Sequence, residues 1–174
     1  MKTEFMELAT ARYSVRRFEN KAVEPETVQE ILQAGHVAPT GCNRQPQRIL
    51  VINEEGSLSK LRACTKCHFN APLVFMVGFD TADCWVRGYD GKSCGRDDAC
   101  IVATHMMLQA ADLGVGSTWV MHFDPAALRE AFAIPEQIEP VALLVMGYPA
   151  ADAVPAPAHS EFRPMEETVF FNKL

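Results

Sequence analysis

Two arginines and a serine alternate near the start of the chain, at Arg12, Ser14 and Arg16. An extended backbone at this point would direct all three side chains to the same side. Guanidinium groups match phosphate oxygens in pairs, and a hydroxyl supplies a further hydrogen-bond donor. The spacing therefore predicts a phosphate-binding segment, with a solvated basic turn as the alternative.

A second candidate segment, residues 38–46, contains small residues and two amides, Asn43 and Gln45, directly before a predicted strand. An amide side chain offers a donor and an acceptor on one planar group, which suits the edge of a flavin or pyrimidine ring. Turn chemistry alone accounts for the same residue types. Both interpretations stay open from this segment alone.

Helical and strand patterns alternate along the chain and must position these side chains. A helix is predicted to begin at Pro25 and to end before Pro39, because apolar residues recur at helical spacing between them. A longer helix over residues 98–113 has Asp98 as a candidate cap and apolar residues nearly all the way round, which places it in the centre of the molecule. A short helix is predicted to begin at Pro125 with Asp124 as its cap.

Four strands are predicted from short apolar runs rich in β-branched or aromatic residues. They cover residues 48–52, 71–79, 117–121 and 141–147. Interleaved helices and strands indicate an α/β or α+β sandwich.

The composition narrows the class of protein. The 174 residues suit one domain, and the formal charge of -6, from 16 basic and 22 acidic residues, disfavours nucleic acid as a partner. Met1–Thr10 carries Glu4 and Glu7 and lacks the apolar core of a signal peptide, and no apolar run reaches the length of a membrane span. We therefore expect a cytoplasmic protein with no membrane partner.

The six cysteines include a single C-x-x-C at Cys64 and Cys67, with Cys84 and Cys94 further along. Zinc sites usually combine two close pairs, and Cys84 and Cys94 do not form one. Buried or incidental reduced thiols are the main interpretation. A redox-sensing pair and a zinc or iron–sulfur site are the alternatives.

Four segments together resemble the nitroreductase family. They are residues 12–18, residues 38–46, the glycine-containing stretch 113–119, and residues 147–149 followed by Arg163. The resemblance covers nearly the whole chain. It implies an α+β fold, a dimeric three-layer α/β/α sandwich with a mixed, mainly antiparallel sheet. Residues 1–149 would form the FMN-binding domain, and residues 150–174 a C-terminal extended arm of the same domain and dimer.

The resemblance also implies a site for FMN at the interface of a homodimer. Arg12, Ser14 and Arg16 would contact the phosphate, ribityl chain and pyrimidine edge, and Arg163 would complete the phosphate clamp. Residues of the second segment would reach the flavin of the other subunit: Pro39, Thr40, Asn43 and Gln45. Trp119, Val120, Met121 and His122 would lie beside the reactive edge of the ring, where a backbone amide would meet flavin N5.

Several roles within this implied site stay open. Trp119 is either a residue of the flavin site or a core aromatic, and His122 is either a proton donor or a polar loop residue. Many relatives have a cation two residues before the closing arginine, where this chain has Glu161, so His159 is a candidate to replace that charge. The stretch between Asp80 and Asp97 leaves less room than in larger relatives for a segment covering the substrate.

The implied function is ping-pong electron transfer from NADH or NADPH to a small acceptor such as a nitroaromatic or quinone. The protein positions the flavin and tunes its charge, and Arg16 is the candidate to stabilise negative charge near N1 of the reduced ring. An FMN-binding carrier or sensor without turnover is the alternative. The proline-containing arm over residues 149–157 would run extended, and the apolar residues beyond it would dock on the partner subunit.

Overall fold

The computed structural model describes residues 4–174, so Met1–Thr3 of the opening segment lie outside the described part. Five helices are present there: α1 (Phe5–Ala11), α2 (Pro25–His36), α3 (Glu55–Cys64), α4 (Gly95–Asp112) and α5 (Pro125–Phe132). The strands are β1 (Gln47–Ile52), β2 (Leu73–Asp80), β3 (Gly116–Val120) and β4 (Ile138–Gly147). Short 3-10 turns lie at Gly41–Asn43, Pro157–Ser160 and Met165–Glu167.

The four strands form one sheet in the order β1-β2-β4-β3, and every pair of neighbouring strands is antiparallel. An isolated parallel bridge joins Ser14 to Ser117 on β3. The four-stranded sheet is therefore antiparallel throughout, and the parallel bridge lies outside its named strands, so the antiparallel part of the prediction is confirmed and the mixed part is not.

Alternating side chains of the two central strands divide the core into two layers. Phe75 of β2 and Leu144 of β4 pack on the face covered by α2 and α4. Met76 and Leu143 pack on the opposite face, with Leu58 of α3 and Leu128 of α5. Both faces of β2 and β4 are buried, which explains their continuous apolar runs. The result is the predicted three-layer α/β/α arrangement.

All four predicted strands are present, with ends shifted by up to three residues. The largest shift is in β4, which begins at Ile138 and includes Pro140. A bulge between Val77 and Gly78 accommodates this proline opposite β2, because proline has no amide to donate to the ladder. Gly78 allows the close approach, since a Cβ there would lie 2.5 Å from the Glu139 carbonyl oxygen.

Two predictions about the long helix α4 are corrected. The helix begins at Gly95, and Asp98 is a buried residue inside its first turn rather than its cap. The helix packs on α2 and the sheet, but Ile101 and Thr104 remain exposed in the single chain. It therefore lies on one face of the sheet with an outer stripe uncovered. The predicted starts of two other helices are confirmed: Pro25 lies in the first turn of α2, and Asp124 caps α5 by accepting from two of its backbone amides.

Candidate functional site

The segment that follows α1 docks on β3, an edge strand of the sheet. The Val15 amide donates to the Ser117 carbonyl oxygen at 3.0 Å, and the Thr118 hydroxyl donates to the Val15 carbonyl oxygen. Val15 itself is buried, so that its neighbours Ser14 and Arg16 are directed away from the core. These contacts hold the arginine segment at a defined position along β3.

Arg12, Ser14 and Arg16 line one cavity of about 200 Å³. The other lining residues are Ala156, Ala158 and His159, which come from the C-terminal segment. The structure thus brings the three predicted residues together, and it adds His159, the candidate replacement for the cation missing at Glu161.

The cavity carries positive charge that no acidic side chain offsets. Within residues 4–174, Arg12 and Arg16 take part in no ion pair, and no carboxylate lines the cavity. By contrast, the adjacent Arg17 is paired with Asp152 at 2.7 Å. Two guanidinium groups, a hydroxyl and an imidazole are donors suited to a phosphate, so the residues present fit the phosphate end of a nucleotide.

An aromatic contact connects the C-terminal segment to the arginine segment. The ring of Tyr13 meets that of His159 edge-on, with 6.2 Å between centroids. The Tyr13 hydroxyl donates to the Ala153 carbonyl oxygen at 3.2 Å. Tyr13 therefore holds the chain near residues 153–159 beside the cavity, a role that the sequence analysis did not assign.

Arg163 lies outside this cavity in the single chain. Its side chain is 80% exposed and its nearest acidic partner is Glu167, at 3.7 Å. The exposed loop residues Pro39, Asn43 and Gln45, and the half-buried Thr40, also do not line it. Their roles in flavin binding therefore stay predictions.

The segment from Trp119 to His122 continues from the C-terminal end of β3. Trp119 is half-buried against the core and Val120 is buried, whereas Met121 is 55% exposed and His122 is exposed. The core-aromatic alternative for Trp119 thus agrees with its packing. The exposed part of the segment is limited to Met121 and His122.

A buried threonine fixes the backbone of this segment. The Thr65 hydroxyl donates to the His122 carbonyl oxygen at 2.5 Å and accepts from the Cys67 amide at 3.0 Å. The Asp124 amide donates to the Cys64 carbonyl oxygen at 2.8 Å. The end of α3 therefore holds residues 122–124 in place. Thr65 was not predictable from the sequence, because nothing in the local pattern marks it.

The family model for the nitroreductase family matches residues 9–68 and 59–148 of this chain. The chain belongs to the nitroreductase family. Members of this family are flavin oxidoreductases, and the matched residues include the arginine segment, the amide loop and the segment after β3.

Known relatives match over most of their length. A nitroreductase family protein from Clostridium difficile 630 is 39% identical, with a TM-score of 0.93 over 99% of this chain and 100% of that one. The NADH dehydrogenase of Thermus thermophilus is 26% identical, over 94% of this chain and 93% of its own. The FMN-dependent nitroreductase of Clostridium difficile R20291 shares the fold, with a TM-score of 0.80, 24% identity and coverage of 98% and 100%.

The remaining predictions concern cysteines and membranes. All six cysteines are free thiols, and burial raises the pKa of the Cys64 thiol above its ordinary value. Among residues 4–174, no three His, Cys, Asp or Glu side chains lie close enough together to share a metal ion. In the same part of the chain, no helix has the length and apolar character needed to cross a membrane.

Proposed function

We propose that this chain binds FMN and transfers electrons from NADH or NADPH to a small acceptor such as a nitroaromatic or a quinone. The observation that carries the proposal is the cavity lined by Arg12, Ser14, Arg16 and His159, whose two guanidinium groups make no ion pair within residues 4–174. In a member of a flavin oxidoreductase family, such a cavity suits the terminal phosphate of FMN.

The spacing along β3 supports a single elongated ligand between the phosphate cavity and the segment ending at His122. Ser14 lies beside Ser117, and Met121 follows four residues later, about 13 Å away at the usual rise of a strand. This separation suits a phosphate at one end and a ring at the other. Arg12 and Ser14 would hold the phosphate, and Arg16 would lie nearer the ring.

When bound, FMN would supply the redox chemistry that links the nicotinamide to the acceptor. The protein's part is to hold and polarise it. The backbone amide of Met121 or His122 would donate to the N5 edge, in a segment that Thr65 holds in place. The Arg16 guanidinium would stabilise negative charge at the opposite, N1 edge of the ring.

Nicotinamide and acceptor would use the same exposed face in turn, which gives ping-pong kinetics. This reaction does not require a side-chain nucleophile. His122 is an exposed titratable side chain in the segment that would lie beside the ring. Whether His122 donates a proton to the acceptor is tested by the pH dependence of the His122→Asn variant.

We further propose that the working unit is a homodimer, with residues 1–149 as the FMN-binding domain and residues 150–174 as an arm of the same domain. The arm ends in apolar side chains that the rest of the chain does not bury: Phe171 is 84% exposed and Leu174 is 102% exposed. Exposed apolar surface of this kind marks an interaction site. Docking on a partner would cover it and would bring Arg163 towards a phosphate.

The amide loop supports the same assembly. Asn43 and Gln45 are exposed and lie outside the cavity of their own chain, so we propose that Pro39, Thr40, Asn43 and Gln45 contact the flavin of the partner subunit. The site would then be complete only in the dimer.

The test begins with the purified protein and its FMN content after release by denaturation. We expect about one FMN per subunit, and oxidation of NADH or NADPH that depends on an added quinone or nitroaromatic. A protein that stays colourless after incubation with FMN would contradict the proposal. Bound FMN without nicotinamide oxidation would instead identify a carrier or sensor. Kinetics that require both substrates bound at once would contradict the ping-pong scheme.

A further inference from the structure

The loop after α2 has an unusual backbone conformation. Cys42, Asn43 and Gln45 all have positive φ angles, of 50°, 53° and 53°. Residues other than glycine rarely adopt this left-handed region, because their Cβ atom comes too close to a backbone carbonyl oxygen. Such conformations persist only where surrounding contacts hold them, and they concentrate at functional sites. The exposed amides of Asn43 and Gln45 are presented by this strained backbone.

A buried carboxylate holds the start of the loop. The Gly41 amide donates to Asp98 Oδ1 at 2.8 Å, and Asp98 is only 3% exposed. Position 41 leaves no room for a side chain, since a Cβ would lie 2.6 Å from Cys94 Sγ and 3.1 Å from Trp85 Cβ. The loop is therefore packed tightly against the beginning of α4 at this point.

The second oxygen of Asp98 also has a partner. The Cys94 thiol donates to Asp98 Oδ2 at 3.1 Å. Burial, and then the hydrogen bond to Asp98, raise the pKa of Cys94 to about 11, so the thiol keeps its proton at neutral pH and remains a donor. No cation pairs with Asp98 in the described chain.

A carboxylate without a cation is costly to bury, and an apolar residue would fit the pattern of the helix better. Asp98 occupies the same stripe of α4 as the buried Val102, Met106 and Ala110, at intervals of four residues. The partial positive charge at the N-terminus of a helix offsets part of the cost of burying this carboxylate. The specific contact that the carboxylate makes outside its own helix turn is the one to Gly41.

We infer that Asp98 is a positioning residue, which holds the Thr40–Gln45 loop in the strained conformation that presents Asn43 and Gln45 to a ligand. For the identity of that ligand, the flavin of the partner subunit, the inference rests on the proposed function. At the other end of the loop, the backbone amide of Gln45 donates to Thr40 Oγ1 at 3.0 Å. These two hydrogen bonds fix the two ends of the loop.

The test compares Asp98→Ala and Asp98→Asn with Asp97→Ala. Asp97 is exposed in the same helical turn, so its variant removes an equal charge without touching Gly41. Hydrogen exchange of the peptide covering residues 39–46 reports the loop directly. Loss of a hydrogen bond to a charged group should speed Gly41 exchange by about tenfold or more in Asp98→Ala, and weaken FMN binding by about as much. Asp97→Ala should match the wild type in both measurements.

Asp98→Asn retains an oxygen acceptor and should largely restore both measurements. If Asp98→Ala does not fold, Asp98→Asn decides the question, because its neutral acceptor forms a weaker hydrogen bond and should leave Gly41 exchange a few-fold faster than in the wild type. Gly41 exchange at the wild-type rate in Asp98→Asn would then overturn the inference.

Two other results would overturn the role of Asp98. Loop exchange at the wild-type rate in folded Asp98→Ala would show that the carboxylate does not hold the loop. Faster exchange with unaltered FMN affinity would show that the loop's shape does not serve the flavin. A wild-type chain that fails to bind FMN would refute the proposed function instead, and the exchange measurement would still decide whether Asp98 anchors the loop.

Discussion

Replacing Arg12 by alanine removes one of the two guanidinium groups at the proposed phosphate cavity. Arg12 is half-buried, and among the described residues no carboxylate lines the cavity to compete for it. A hydrogen bond between charged groups contributes on the order of 1.5–3 kcal/mol, which corresponds to about a tenfold to hundredfold loss of FMN affinity. The variant should fold normally, because the side chain packs in no core cluster among the described residues.

The assay is fluorescence titration of FMN into the apoprotein at fixed ionic strength. Arg17→Ala is the matched control, since Arg17 lies in the same segment but is paired with Asp152 outside the cavity. It should leave the Kd unchanged. An unaltered Kd in Arg12→Ala would refute the assignment of Arg12 to the phosphate. An equal loss of affinity in both variants would also refute it, because the effect would then reflect general charge alone.

Three further predictions follow from the same structure. Arg16→Gln should slow flavin reduction and lower the flavin potential more than it weakens FMN binding, because its charge matters most once the ring is reduced; an unchanged potential would leave Arg16 as a phosphate ligand only. Glu24 accepts from the Tyr148 hydroxyl and pairs with Lys21, and these contacts lower its pKa from 4.5 to about 2. Because the folded pKa is the lower one, its contribution to stability is present above about 4.5 and is lost as the pH falls towards 2. Urea unfolding at several pH values in this range should therefore show a weaker pH dependence for Glu24→Gln than for the wild type, and equal dependence would contradict the assignment. Deleting the chain from Pro155 onward should reduce both dimer stability and FMN affinity, measured by sedimentation and titration; a full-length monomer with full FMN occupancy would exclude a shared site.

Much of the fold was predictable from local patterns. The continuous apolar runs of β2 and β4 indicated buried strands, because both faces of a central strand need apolar side chains. Pro25 and Asp124 marked the starts of two helices, because proline suits the first turn of a helix and an aspartate accepts hydrogen bonds from the free amides there. The beginning of β4 was missed because Pro140 normally ends a strand, and only the bulge opposite Val77 makes it acceptable.

The site was predictable in its chemistry but not in its completeness. Arg12, Ser14 and Arg16 are close together in the chain, so their common direction follows from an extended backbone. Asp98 was misread as a helix cap, although its place in the buried stripe with Val102 and Met106 was a usable signal. Thr65 and Tyr13 had no such signal, since their partners His122 and Ala153 are distant in sequence.

The sequence by itself determined the family, the order of the helices and strands, and the donor groups available for an anion, because each depends on residue types and short-range spacing. The tertiary structure alone decided which distant segments meet. It placed the arginine segment on β3, where Thr118 contacts Val15, a residue 103 positions away in the sequence. It also placed His159 in the lining of the cavity. It also turned Asp98 towards Gly41. The physical reason is that such contacts depend on packing and chain closure over the whole domain, which no local pattern encodes.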